Sequence, residues 1–99
     1  MGRLLTELQR RWGEMFAALA AGDDLPPARR LRAEGLMEAA VLLGEATEEE
    51  LAAAMARCYS TAFDRTIEED FGGDWRDFHP FPEIPAMARR APVYPSAPD

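Results

Sequence analysis

The sequence contains no lysine and no asparagine, one cysteine, one histidine and no long uncharged hydrophobic run. Each absence narrows the reading. A single cysteine, Cys58, excludes an intrachain disulfide framework and a multi-cysteine zinc site, and it fits a reducing compartment, so a cytoplasmic location is expected. The uncharged stretch near the start, Met15 to Gly22, is too short to span a bilayer. It also follows arginines and glutamates, unlike the layout of a signal peptide, so neither a membrane partner nor export is expected. Without lysine, all positive charge rests on arginine: 11 basic residues stand against 18 acidic ones, for a net charge of −7. The runs Arg10-Arg11, Arg29-Arg30-Leu31-Arg32 and Arg89-Arg90 are each diluted by acids or prolines, which disfavours direct nucleic-acid binding.

Reactive residue types are equally scarce. Nucleophilic catalysis needs a nucleophile beside an oriented base, and the only thiol and imidazole are Cys58 and His79. Cys58 falls on an apolar helical stripe, where a free cysteine acts as a small hydrophobe. The spacing D-x-x-D-x-H-x-x-x-E of Asp74, Asp77, His79 and Glu83 holds hard metal ligands, but prolines interrupt it and no second histidine supports it. The run Glu48-Glu49-Glu50 suits the first turn of a helix, where the macrodipole favours negative charge. The sequence therefore predicts a noncatalytic protein with no catalytic residues, no cofactor and no metal.

What is present is helical. On a wheel at 100° per residue, Leu4, Leu5, Leu8, Trp12, Met15, Phe16 and Leu19 share an arc of about 120°, predicting an amphipathic helix over residues 3–21 that ends at Gly22. A second helix is predicted from Asp24 as N-cap, with Pro26-Pro27 in its first turn, to Gly44. Its half from Gly35 to Leu43 is apolar around nearly the whole circumference, which predicts a central position. Thr47 and Glu50 have capping-box spacing and open a third helix with the stripe Leu51, Met55, Cys58, Tyr59, Ala62 and Phe63. A loop of about three residues between these two predicts an antiparallel hairpin. Thr66 and Glu69 repeat the capping-box spacing, and Asp74 is placed to cap a further turn.

Six of the eight prolines follow His79, at 80, 82, 85, 92, 95 and 98, and predict an extended course with at most one turn between Pro85 and Arg90. The fold expected is all-α: a small three-helix bundle over residues 1–78, with one or two short extra turns, and a proline-rich C-terminal arm over 79–99, docked through about residue 91. A homodimer through the first helix stays open, because three short helices bury a modest core. A helix-turn-helix reading of Ala40, Gly44, Thr47 and Leu51 meets the objection that Glu48, Glu49 and Glu50 would repel phosphate.

The most distinctive stretch chemically is Tyr59 to Phe81. It holds six of the nine aromatic residues, interleaved with Asp64, Glu68, Glu69, Asp70, Asp74 and Asp77. These aromatics either close the open side of the bundle or anchor a partner with a basic surface. The second reading nominates Phe71, Asp74, Trp75, Asp77, Phe78 and Phe81, with Tyr94 in the tail, as partner-binding residues. The expected function is that of a small acidic accessory or regulatory protein acting by protein–protein binding. The alternative is a nucleic-acid mimic that inhibits a basic DNA-binding protein or nuclease.

Overall fold

A computed structural model describes residues 2–85 and is all-α, with no strand among them. Three long helices, α1 (Arg3–Ala20), α2 (Pro27–Leu42) and α3 (Glu48–Phe63), precede two short ones, α4 (Ile67–Phe71) and α5 (Trp75–Phe78).

The apolar stripe of α1 is its buried face: Leu8, Trp12, Met15, Phe16 and Leu19 are all core residues. α1 packs along both α2 and α3, whereas α2 and α3 scarcely approach one another at the backbone. α2 and α3 run antiparallel, as a hairpin would, but each rests on α1 rather than on the other; the central helix is therefore α1, which corrects the expected central position of the C-terminal half of α2. Leu42 and Leu43 are instead 84% and 67% exposed, and Leu31 is exposed as well. The reason lies in side-chain size. α2 turns the small Ala33 and Ala40, with Met37, into the core, and α3 contributes Ala54 beside Leu51, Met55 and Tyr59, so both settle on the bulky stripe of α1. Glu14 of α1 meets Arg29 near the start of α2, an antiparallel pairing, while Gln9 and Phe16 of α1 meet Cys58 and Tyr59 of α3, a parallel one.

Local chemistry accounts for the helix ends. Gly22 and Gly44, with φ of 91° and 75°, end α1 and α2. In each case the glycine N–H and the next N–H turn back to carbonyls of the last turn, Leu19 and Ala18 in α1, Val41 and Ala40 in α2. Thr47 and Thr66 both form complete capping boxes, with Glu50 and Glu69. Asp24 does not cap α2; the N-cap is Pro26, whose extended backbone (φ −61°, ψ 138°) is what a residue before proline is confined to, so the helix starts at Pro27. The connection from Leu43 to Thr47 is longer than the three-residue loop expected. Replacing Thr47 or Thr66 with alanine should cost about 1 kcal/mol each in urea denaturation, with the Thr→Ser variants close to wild type.

After α3 the chain folds back over the bundle. Ile67, Trp75, Ile84 and Pro85 are buried. The Ile84 N–H donates to Oε2 of Glu34 at 3.2 Å, and Nη1 of Arg30 donates to both oxygens of the same carboxylate. Glu34 is the one buried charged residue of the described chain. The expected turn between Pro85 and Arg90, and Tyr94, lie outside the described residues.

Candidate functional site

The segment that follows α3 is pinned from below. The Tyr59 hydroxyl donates to Asp70, and Nε of Arg65 donates to the other Asp70 oxygen at 2.6 Å. Phe71 stands edge-on to Tyr59 (ring centroids 6.2 Å apart) and to His79 (5.5 Å, 80° between planes). Trp75 is buried, with its indole N–H donating to Oε2 of Glu68 at 3.3 Å. Trp75, His79 and Phe81 share a narrow cleft of about 20 Å³ with Met37 of α2 and with Ala52 and Met55 of α3. These contacts hold the four-residue α5, which no intrinsic helical tendency would sustain alone.

The residues nominated from sequence separate accordingly. Trp75 is core, and Phe71 and Phe81 are half-buried against the core. Phe78, by contrast, is 70% exposed, with Asp74 and Asp77 also exposed on the same short stretch. Of the nominated aromatics in the described chain, then, Phe78 presents its ring to solvent, and Asp74 and Asp77 flank it in sequence. Tyr94 lies outside the described residues.

The candidates for chemistry are dispersed. Cys58 sits half-buried between α3 and α1, its thiol directed to the Gln9 carbonyl at 3.8 Å, and burial pushes its pKa up, away from a reactive thiolate. His79 belongs instead to the α5 cleft, with Nδ1 3.7 Å from Glu83. Among the described residues no three histidine, cysteine, aspartate or glutamate side chains converge on a point that would hold a metal ion. No described helix is long and apolar enough to cross a membrane.

Several carboxylates are neutralised by arginine: Glu7 and Glu14 by Arg10, Arg11 and Arg29, Glu34 by Arg30, and Asp70 by Arg65. Hydrogen bonds from Arg10 and then Arg11 lower the pKa of Glu7 to about 2. Comparison with protein-family models, with curated protein sequences and with solved structures returns no match.

Proposed function

We propose that this chain is a noncatalytic accessory or regulatory protein that works by binding another protein, and that Phe78 is the anchor of its binding surface. The observation that carries the reading is the contrast between Trp75 and Phe78 on α5: one side chain is buried, and the other is 70% exposed on a turn that the first ties to the core. A ring carried on a turn tied to the core leaves only its own side-chain torsions to be ordered on docking, and a few anchors, aromatics prominent among them, carry most of the energy of protein interfaces. The exposed carboxylates of Asp74 and Asp77 favour a partner with a basic face and would speed its approach. Trp75 contributes by fixing the turn, and Phe71 and Phe81 by supporting it.

The nucleic-acid-mimicking alternative draws no comparable support, because the carboxylates of Glu7, Glu14, Glu34 and Asp70 are occupied by arginines and subtracted from any negative face.

The test is affinity capture from native extract with the full chain and with Phe78→Ala, followed by titration of the captured protein. Phe78→Ala should keep the thermal stability of the wild type, since its ring is largely solvated, and weaken binding by at least about tenfold. Raising the salt should weaken the wild-type complex. Capture of nothing by the wild type, or equal binding by Phe78→Ala, would overturn the reading.

A further inference from the structure

Between α1 and α2 lies an open cleft of about 170 Å³ lined by Arg10, Arg11, Glu14, Met15, Arg29 and Arg32. Four of the chain's eleven arginines thus gather in one place on a protein whose net charge is −7. The carboxylates that engage them are Glu7 and Glu14. Arg10 spans both, at 2.7 Å each; Arg11 reaches Glu7 through Nε at 2.7 Å; and Arg29 reaches Glu14 through Nη2 at 3.3 Å. Four guanidinium groups facing two carboxylates leave an excess of two positive charges. The excess is concentrated on particular atoms: Arg32 makes no ion pair or hydrogen bond among the described residues, while Arg11 and Arg29 are engaged through single nitrogens.

Internal neutralisation would need no more arginines than carboxylates. The unused donors are planar forks, whose paired N–H groups match the spacing of phosphoryl oxygens. The carboxylate lattice limits the motion of Arg10, Arg11 and Arg29, so less entropy is lost when an anion arrives. Met15, buried in the core, anchors the floor.

We propose that this cleft binds a phosphoryl dianion, either free phosphate or the phosphate of a small metabolite, with Arg32 and Arg29 as its principal ligands and Arg11 completing the set. The dianion's charge equals the excess of the cleft. Arg10 is a positioning residue, committed to Glu7 and Glu14. This site is separate from the surface around Phe78, and neither depends on the other.

The experiment is calorimetric titration of the full chain with inorganic phosphate, with pyrophosphate and with a sugar phosphate, at a constant ionic strength of about 0.1 M, where charges beyond roughly 10 Å are screened. Saturable one-to-one binding is expected for at least one of them. Arg32→Gln should weaken it about tenfold, and Arg29→Gln with Arg32→Gln should abolish it. Arg32→Gln alone should leave the melting temperature in phosphate-free buffer unchanged, because the side chain it removes has no partner among the described residues, so loss of binding is separable from loss of fold. Tighter binding of the sugar phosphate identifies a metabolite site, and binding of phosphate at least as tight identifies the free ion. Absence of saturable binding for all three anions, or affinity unchanged in Arg32→Gln, would overturn the proposal.

Discussion

A Trp12→Ala variant is expected to lose about 3–5 kcal/mol of stability, a large fraction of the 5–15 kcal/mol or so that holds a domain of this size together. Trp12 is fully buried at the middle of the α1 stripe, and α1 is the helix on which both α2 and α3 rest. Removing the indole therefore opens a void in the core that the surrounding structure closes only in part. The indole N–H has no hydrogen-bond partner among the described residues, which sharpens the control. Trp12→Phe deletes an unsatisfied donor along with part of the ring, so the relief of about 1–3 kcal/mol of desolvation partly offsets the smaller void. Urea denaturation should place Trp12→Phe clearly between wild type and Trp12→Ala. An alanine variant within about 1 kcal/mol of wild type would contradict the central position of α1.

Removing the Glu34 carboxylate should release the arm. In Glu34→Ala the buried Ile84 N–H loses its acceptor, at an expected cost of about 1–3 kcal/mol. The lower part of that range applies to the Arg30 side of the interaction, since that side chain is 30% exposed and its guanidinium turns to water. Glu34→Gln keeps an acceptor for Ile84 and should recover most of the loss. The informative readout is local. Hydrogen exchange at the Ile84 amide should accelerate strongly in Glu34→Ala and only slightly in Glu34→Gln, while the helical circular dichroism of α1 to α3 persists. Unchanged protection of Ile84 in the alanine variant would show that burial of Ile84 and Pro85, without the hydrogen bond, holds the arm.

Much of the fold is legible before any coordinates. The α1 stripe is a simple periodic signal over eighteen residues, and all five of its buried members were on it. The capping boxes at Thr47 and Thr66 and the stops at Gly22 and Gly44 are also legible, because each involves groups within a few residues of one another. The start of α2 lies two residues beyond the one expected, with the N-cap at Pro26 and not Asp24, since the constraint Pro27 imposes on Pro26 outweighs the capping capacity of Asp24. The candidate site was legible in part. Its composition stood out, but the four-residue α5 is too short for periodicity to say which of Trp75 and Phe78 faces inward.

The two features that sequence reasoning missed have a common cause. Glu34 looks like half of an ordinary i,i+4 pair with Arg30, and its second partner lies fifty residues further on. Arg10-Arg11 and Arg29-Arg32 look like separate, diluted runs, and the antiparallel packing of α1 against α2 merges them into one cleft. The sequence by itself determined that the chain is helical, where most of its helices end, and which face of α1 is buried, because caps, glycine stops and apolar periodicity are decided within one or two turns. Only the tertiary structure decided that α1 lies at the centre, that Trp75 closes the core while Phe78 faces water, and that four arginines converge. Those outcomes depend on which surfaces exclude water from each other, and residues distant in sequence compete for that role.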